Sequence, residues 1–463
     1  MERLYGRRRP LRPAHRRRDS RGVVVTGTES ATVVVVGAGM SGLIAARALH
    51  RGGIDVIVLD AADRVGGRMS AETSVLGSRL DLGGQWVGHG HHRFEALAAE
   101  LGTTLFPMNT PRLPEVIRGQ RRIAASSLPL FAANVVLLRW ELAARRKRNP
   151  STWTSGSVRD WLDRRVRSGT TRRALEVMVT TTTCADPDVY PMAAFGDMIR
   201  YQAGLIGMVR TKGGAQERLV VEGAGTLTDR LAAELGPRVR TAQRVTELHY
   251  DTDGVWVRTP DRVVRADLVV VTVPPPMAAS ITFTPPLPAA RAQLIENTHM
   301  GTVYKAIAVY ERPFWRDRRK HAEVILLDEP GAVVFDTSPP NGPGHLCLLV
   351  AGPEARTLDS LSSAQRRQQL LGRLAGRLGA DVDRPVGWHE KSWHLDRYVG
   401  GGYSVLPNPG TAAGRTLPVP HDRVGPIHWA GTETAAEHAG YIEGAIESGQ
   451  RVAEEVRVAL GRT

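Results

Sequence analysis

The feature that most constrains the fold is a glycine-rich turn between an apolar run and a helical segment near the start of the chain. Residues 33–36 are all valine, which predicts a buried parallel strand. Residues 41–50 carry leucine and alanine at helical spacing, and residues 54–59 form a second β-branched run. The order strand, turn, helix, strand predicts an α/β fold built on a Rossmann-like βαβ unit.

The turn has the pattern G-x-G-x-x-G, which is informative only in this strand-to-helix context. Gly37 permits a tight turn, Gly39 lets the backbone approach a pyrophosphate, and Gly42 allows close helix–strand packing. The helix N-terminus offers free N–H groups to phosphate, and Asp60 ends the second strand, where ribose hydroxyls can donate to it. The predicted dinucleotide contacts are Gly37, Ala38, Gly39, Ser41, Gly42 and Asp60.

Two more glycine-rich turns follow the unit, at residues 61–68 and 81–88. They allow backbone to lie along a longer cofactor, and Arg68 could reach phosphate oxygens. No second complete fingerprint follows for a separate nicotinamide domain, since Gly223 and Gly225 lack the preceding strand and the third glycine. The pattern therefore favours FAD. The second turn contributes the candidates Gly83, Gly84, Gln85 and Trp86.

A chain of 463 residues exceeds one hydrophobic core, so two domains are expected. Strand patterns of the nucleotide-binding type occur at both ends, with helix-rich material between them. We predict an FAD-binding domain of the glutathione-reductase type from discontinuous segments, residues 31–110, 220–298 and 396–463. Residues 111–219 and 299–395 would form an α+β substrate-binding domain.

The net charge of +14 does not indicate a nucleic-acid partner, because it is unevenly distributed. Residues 1–30 hold nine arginines against three acids, and the remaining 433 residues carry only +8. The Arg-rich segment has little to bury, so we predict a disordered tail. It could be an electrostatic arm for anionic surfaces or only a solvated tail.

The chain lacks the sequence signs of export and membrane insertion. The arginines are not followed by the apolar stretch of a signal peptide, and no apolar run approaches the roughly 20 residues of a membrane span. Cys184 and Cys347 lie far apart, which excludes a disulfide framework. We expect a cytoplasmic protein with no membrane or nucleic-acid partner.

Three histidines, His89, His91 and His92, follow the second glycine turn. They lack helical spacing with a carboxylate, so we interpret them as loop residues and predict no metal site.

Lys305 stands in a strand that is apolar on both faces, residues 303–310. A buried ammonium is costly unless it is paired or deprotonated. The alternative is a lysine that extends from a sheet edge into solvent. Only five of the 61 basic residues are lysine, so a lysine kept inside an apolar strand favours a functional amine with an adjustable pKa.

In these motifs and later ones the sequence resembles the flavin-containing amine oxidases, which include monoamine, polyamine and putrescine oxidases. The resemblance extends from residue 33 to residue 456 and is nearest to the monoamine oxidases, in a soluble bacterial form without their membrane anchor. Its markers are residues 36–42 (VGAGMSG), 63–68 (DRVGGR), 82–88 (LGGQWVG), 214–218 (GAQER), 304–306 (YKA), 312–315 (RPFW), 400–403 (GGGY) and 429–444 (WAGTETAAEHAGYIEG).

The resemblance implies roles for individual residues. Lys305 matches the lysine that holds a water at the flavin N5, and Tyr403 and Tyr441 match two rings that form an aromatic cage in front of the flavin. Further implied cofactor contacts are Val245, Trp393, Gly431, Glu433, Tyr441 and Ile442. Gly402 stands where monoamine oxidases have the cysteine that bonds to the flavin, so non-covalent FAD is expected.

The implied reaction is FAD-dependent oxidative deamination of a primary amine to an aldehyde, ammonia and hydrogen peroxide, with O2 as acceptor. Residues 201–208, expected to line the cavity, are mostly apolar, which favours monoamines. An L-amino-acid oxidase would need a bidentate arginine, and a polyamine or putrescine oxidase a distant carboxylate that the sequence does not locate. A protein that keeps FAD only for structure is a further alternative, and a homodimer is compatible with the resemblance.

Overall fold

The computed structural model describes residues 28–110, 114–146, 149–202, 204–317, 321–411 and 417–462. Its strands are β1 Thr28–Val36, β2 Val56–Leu59, β3 Ala71–Thr73, β4 Arg79–Asp81, β5 Leu105–Pro107, β6 Glu115–Arg118, β7 Arg121–Ile123, β8 Arg218–Val220, β9 Val239–Arg240, β10 Glu247–Asp251, β11 Gly254–Arg258, β12 Val263–Val271, β13 Thr282–Thr284, β14 Thr298–Gly301, β15 Val303–Tyr310, β16 Val324–Leu326, β17 Ala332–Asp336, β18 Gly344–Ala351, β19 Gly387–Ser392, β20 Gly402–Pro407 and β21 Ile427–Trp429. Its helices are α1 Met40–Arg51, α2 His92–Glu100, α3 Leu128–Ala144, α4 Val158–Arg165, α5 Gly169–Thr183, α6 Met192–Tyr201, α7 Leu205–Val209, α8 Gly225–Leu235, α9 Pro275–Ala278, α10 Ala289–Glu296, α11 Pro353–Arg356, α12 Ser363–Leu371, α13 Ala375–Leu378 and α14 Ile442–Ala459.

The first sheet has eight strands in the order β13-β10-β11-β12-β1-β2-β9, with β21 also paired to β12. The strand β1 lies parallel to both β2 and β12, as the βαβ pattern predicts. One face packs against α1, α8 and α14 through residues such as Leu43, Leu231 and Val452. Because both faces are covered, all four valines of residues 33–36 are buried. The fold is the predicted Rossmann-like α/β class.

The second sheet has seven strands in the order β19-β15-β18-β17-β16-β6-β7. One face packs against α11, α12 and α13. On its other face Ile307 and Leu349 share a core with Leu82 and Trp393, which come from outside this sheet. Lys305 lies on β15 between β18 and β19, so it is in the sheet interior and not at an edge.

The helices α3 to α6 form a third layer around a core that includes Trp140, Leu162 and Phe195. The first sheet draws its strands from residues 28–59, 239–284 and 427–429, and the second from the β6–β7 hairpin and β15 to β19. The division into a cofactor domain and a substrate domain stays a prediction.

One sequence prediction about the start of the fold needs correction. Residues 28–30, assigned to a disordered tail over residues 1–30, belong to β1, because their backbone pairs with Val263, Val264 and Arg265. The rest of the tail lies outside the described residues. The described part of the first strand therefore includes three residues that precede the predicted start of the cofactor domain at residue 31.

Among the described residues, no helix combines the length and the apolar character that a bilayer crossing requires.

Candidate functional site

One cavity of about 740 Å³ extends from the fingerprint turn to Lys305. It brings together most of the residues that the sequence singles out. The predicted residues that line it are Gly37, Gly39, Ser41, Asp60, Arg68, Gly83, Gly84, Gln85, Trp86, Val245, Lys305, Trp393, Gly402, Tyr403, Gly431, Tyr441 and Ile442. Ala38, Gly42 and Glu433 do not line it, but each contacts a residue that does, namely Asp60, Gly37 and Arg68 respectively.

The three fingerprint glycines have different surroundings. A Cβ at Gly42 would lie 2.0 Å from the Gly37 carbonyl oxygen, and one at Gly37 would lie 2.5 Å from the Thr272 Oγ1. Both positions are therefore closed by protein. A Cβ at Gly39 would meet no atom within 4 Å, so the backbone there faces open cavity at the N-terminus of α1.

Asp60 lies at the end of β2, on the same part of the cavity wall. Its two carboxylate oxygens accept hydrogen bonds from the N–H groups of Ala38, at 2.6 Å, and Ala62, at 2.8 Å. Burial raises the pKa of Asp60, and the two N–H donors oppose that shift. Ala38 thus holds the acid in place and does not itself reach the cavity.

Ser41 lines the cavity, but its hydroxyl forms hydrogen bonds with other protein groups. Its Oγ lies 2.9 Å from the Ser448 Oγ and accepts a hydrogen bond from the Gly431 N–H. The side chain therefore joins α1 to α14 and to the loop after β21. A cofactor contact from Ser41 would come from its backbone.

Arg68 lines the cavity, and its guanidinium also has protein partners, so its predicted contact with phosphate stays a prediction. Its Nη1 donates to the Glu433 Oε1 and to the Tyr403 carbonyl oxygen, each at 2.6 Å, and Nη2 donates to the Glu433 Oε2 at 3.0 Å. The Glu433 side chain is only 1% exposed. Arg68 thus fixes the backbone of a predicted cage residue through a buried ion pair.

Lys305 is buried, and its amine has defined partners. Its Nζ donates to the Gly83 carbonyl oxygen at 2.8 Å and to the Gln85 Oε1 at 2.7 Å. It also lies 5.2 Å from the centre of the Trp86 ring. Burial lowers the pKa of Lys305, and the negative charge of Asp81 acts in the opposite direction.

Tyr403 and Tyr441 line the cavity from β20 and from the residue that precedes α14. Tyr403 follows three glycines and has a φ of 52°, which a residue with a side chain rarely adopts. Its hydroxyl and the Cys184 thiol are hydrogen-bond partners. Burial raises the pKa of both phenols, that of Tyr441 to about 12, so both rings stay neutral near neutral pH.

His91 is a contact of Tyr441 that the sequence does not reveal. The two ring centres lie 5.4 Å apart at 67°, and the His91 Nδ1 accepts a hydrogen bond from the Gly88 N–H. Burial lowers the pKa of His91 to about 3, so the imidazole is neutral. The described residues contain no group of three or more side chains arranged to hold a metal ion.

The remaining cofactor candidates frame the cavity. Trp393 donates from its Nε1 to the Leu82 carbonyl oxygen at 2.8 Å. A Cβ at Gly84 would lie 3.4 Å from Ile442, so the second glycine turn packs against the start of α14. Val245 follows β9 in the chain; it is buried and lines the cavity.

The cavity wall formed by residues 114–216 and 323–349 is mostly apolar, with Met178 and Phe335 among its members. The prediction that residues 201–208 line the cavity is wrong for most of that segment. Within its described part, Gln202 and Met208 reach the lining. Tyr201 instead donates its hydroxyl to the Ala435 carbonyl oxygen, which binds it to the loop before α14.

Glu323, immediately before β16, is a lining residue that the sequence analysis misses. Its carboxylate accepts hydrogen bonds from the hydroxyls of Thr110 and Thr211. Burial raises its pKa, and the two hydroxyl donors oppose the shift. A single acid before an apolar strand is too common a pattern to indicate a cavity in advance.

The donor set fits a flavin dinucleotide. Gly39 leaves a cradle that a side chain would fill, α1 presents N–H groups beside it, and Asp60 supplies acceptors for ribose. The cavity continues from this cradle to Lys305, Tyr403 and Tyr441, so a ligand bound at the fingerprint turn and one at Lys305 would share it. A fingerprint turn and a buried amine in one cavity are the features of an enzyme that uses a dinucleotide cofactor.

Comparison with known proteins names the family. The model for flavin containing amine oxidoreductases matches residues 40–457, and the chain belongs to that family. It is 34% identical over 446 residues, 92% of this chain and 97% of the relative, to AofH of Mycobacterium tuberculosis, whose name assigns it provisionally to the flavin-containing monoamine oxidases.

Two solved structures are also similar. Cyclohexylamine oxidase from Brevibacterium oxydans has a TM-score of 0.86 and 27% identity, covering 93% of this chain and all of that one. Putrescine oxidase bound to putrescine has a TM-score of 0.81 and 26% identity, with the same coverage. The chain is thus an oxidoreductase that acts on small-molecule amines through a flavin.

Proposed function

We propose that the chain catalyses oxidative deamination of a primary monoamine to an aldehyde, ammonia and hydrogen peroxide, with FAD as cofactor and O2 as acceptor. The observation that carries the proposal is the single cavity that joins the fingerprint turn and Asp60 to Lys305, Tyr403 and Tyr441. Bound FAD would accept the hydride equivalent from the α-carbon of the amine.

The protein residues would orient the amine and exclude water. Tyr403 and Tyr441 are neutral phenols that can guide an amine edgewise, and their ring faces attract residual positive charge. Lys305, with a pKa lowered by burial, can exchange a proton with a water held at its Nζ. These three are the proposed catalytic residues. The cofactor contacts predicted from the sequence, Arg68 and Glu433 among them, stay proposals, and Arg68 also holds the Tyr403 carbonyl oxygen.

We propose that FAD is held non-covalently. Gly402 has no side chain to form a bond, and neither Cys184 nor Cys347 is among the lining residues. A cysteine Cβ at position 402 would lie 2.1 Å from the Val303 Cγ1, so the site is not shaped for one. Acid precipitation should leave the yellow colour in the supernatant, and a yellow pellet would contradict this.

A panel of primary amines assayed for peroxide tests the reaction. We expect apolar monoamines to be oxidised by the purified holo-protein. Lys305→Met serves as the matched variant, because methionine keeps the length of the side chain and removes the amine. Peroxide formation that is equal in the two proteins would contradict the role of Lys305.

The alternative of an L-amino-acid oxidase has less support from the structure. Among the described lining residues of 114–216 and 323–349 there is no arginine to bind an α-carboxylate. The lining arginines Arg64, Arg68, Arg244 and Arg397 belong to the segments predicted to form the FAD-binding domain. Turnover of L-amino acids in the same panel would reverse this preference.

A diamine oxidase is a second candidate, favoured by Glu323. Its buried carboxylate lies in the apolar wall, where it could bind a second ammonium group. Putrescine oxidase is also among the similar structures. Glu323→Gln should then raise KM for 1,4-diaminobutane and leave KM for a monoamine unchanged. Equal effects on both substrates would dismiss this candidate.

The location and partners are also proposals. We place the protein in the cytoplasm, with no nucleic-acid partner and with a homodimer as a compatible state. Removal of residues 1–27, which keeps every described residue of β1, tests the Arg-rich tail. Unchanged turnover and solubility of the shortened chain are the expected results.

A further inference from the structure

The helix α3 exposes a row of large apolar side chains. Leu128, Phe131, Leu138 and Leu142 are 78%, 62%, 49% and 55% exposed, and Val135 lies half-buried between them. Their separations of three and four residues place all five on one side of the helix. We refer to these five side chains as the α3 stripe.

The opposite side of α3 is already packed. Leu130, Ala133, Trp140 and Ala144 are buried, three of them in the core of the helical layer. A helix that is apolar around its whole circumference is one that is covered on both sides. The α3 stripe is therefore a rigid surface that lacks a cover in the described part of the chain.

The α3 stripe is also a concentrated patch. It holds four of the eleven strongly exposed large apolar side chains among the described residues, while the other seven lie elsewhere in the chain, with only Val75 and Leu76 adjacent in sequence. From the fractional exposures, its apolar area is on the order of 450 Å², within the range of the largest patches found on soluble proteins, which are often functional.

The surroundings of the α3 stripe are basic. Six exposed arginines precede or accompany it: Arg118, Arg121, Arg122, Arg139, Arg145 and Arg146. The acids of residues 115–146 are Glu115 and Glu141, which are 14% and 4% exposed and paired with arginine. The α3 stripe is an apolar strip with arginines along it and at both ends. It is therefore complementary to a surface whose outer layer is anionic and whose layer beneath is apolar.

We propose that the α3 stripe docks on the surface of an anionic lipid bilayer. The leucines and Phe131 would enter the boundary between headgroups and acyl chains, and the arginines would contact lipid phosphates. This is surface association without a membrane-spanning helix, and it revises the expectation that no membrane is a partner.

A second copy of the chain fits the α3 stripe less well. Packing two stripes together, in either direction, brings arginines of one copy against arginines of the other. The area of each stripe is also well below the roughly 800 Å² per partner of a stable interface. The chain's own residues 1–27, with nine arginines, have the same sign of charge and are an equally poor cover.

Vesicle flotation with the full-length protein tests the proposal. We expect binding to vesicles of phosphatidylcholine with about 30% phosphatidylglycerol, and little binding to phosphatidylcholine alone. Phe131→Ser/Leu138→Ser should weaken binding by about tenfold or more. Val75→Ser/Val458→Ser, which removes two apolar side chains elsewhere that are 69% and 61% exposed, should bind as the unchanged protein does.

Every protein in this comparison keeps the Arg-rich tail, so a difference between variants reports the α3 stripe. Bound FAD and the unfolding temperature of each variant show whether it is folded. Equal vesicle binding by the two double variants would overturn the proposal. So would a dimer, seen by sedimentation, that dissociates in Phe131→Ser/Leu138→Ser and does not bind vesicles.

Discussion

Replacing Gly39 by alanine separates cofactor binding from folding more cleanly than any other change in the cavity. Gly39 has φ −74° and ψ 175°, which alanine adopts without strain, and its new Cβ would meet no protein atom within 4 Å. A compatible Gly→Ala change stabilises a fold by about 0.4–1 kcal/mol through the unfolded chain. The protein without FAD should therefore be as stable as the original, or slightly more so.

The new methyl group would occupy the space where the backbone is expected to meet the pyrophosphate. Displacing one phosphate oxygen from a backbone N–H loses a charge-assisted hydrogen bond worth about 1.5–3 kcal/mol. Since 1.4 kcal/mol corresponds to a factor of ten, the Kd for FAD should rise by about 10- to 150-fold. Flavin fluorescence titration measures that change, and urea unfolding without FAD measures stability.

Gly42→Ala is the matched control. Its Cβ would lie 2.0 Å from the Gly37 carbonyl oxygen, so the helix must move away from the strand. We expect a loss of about 1–3 kcal/mol of stability even without FAD. If Gly39→Ala binds FAD as tightly as the original protein, the pyrophosphate does not lie at this turn and our interpretation of the fingerprint is wrong.

Three more predictions concern the rest of the cavity. Arg68→Met should cost about 3–5 kcal/mol in urea unfolding because it leaves the buried Glu433 carboxylate unpaired, whereas Glu433→Gln should cost only about 1–3 kcal/mol because Arg68 is more exposed and keeps the Tyr403 carbonyl. The reverse order would contradict the assignment. Lys305→Met should keep FAD but lower amine-dependent peroxide formation by about tenfold or more, and a full rate in the peroxide assay would remove Lys305 from the chemistry. The affinity for FAD should fall as the pH falls through the raised pKa of Asp60, since the protonated acid accepts ribose hydrogen bonds less well. This loss should begin at a higher pH than for an ordinary aspartate, and Asp60→Asn should make the titration curve flat.

The predictable parts of the fold depend on short stretches of sequence. The βαβ unit follows from local patterns over residues 33–60, and Lys305 stands out because its own strand is apolar. The ion pair of Arg68 with Glu433 could not be predicted, because the two residues are 365 positions apart and no local pattern links them. The contact of His91 with Tyr441 could not be predicted for the same reason, because these two residues are also far apart in the chain.

Tertiary packing also determines where helices break and which helix faces are exposed, and the sequence alone does not indicate either. Residues 358–378 have an amphipathic helical period throughout, which predicts one helix, but the structure has α12 and α13, separated near Gly372. The apolar period continues across the break because Leu371, Leu374 and Leu378 pack into one core. Similarly, an apolar sequence predicts the helix α3 but not that half of its circumference faces outward.

The most direct test of the whole account is to add a primary amine, without oxygen, to the purified yellow protein and to record its visible absorption. We predict that the flavin band bleaches and that it returns with peroxide when air is admitted. A chain that is colourless and takes up no added FAD, or a flavin band that no amine bleaches, would contradict the claim that the cavity brings an amine to a bound flavin.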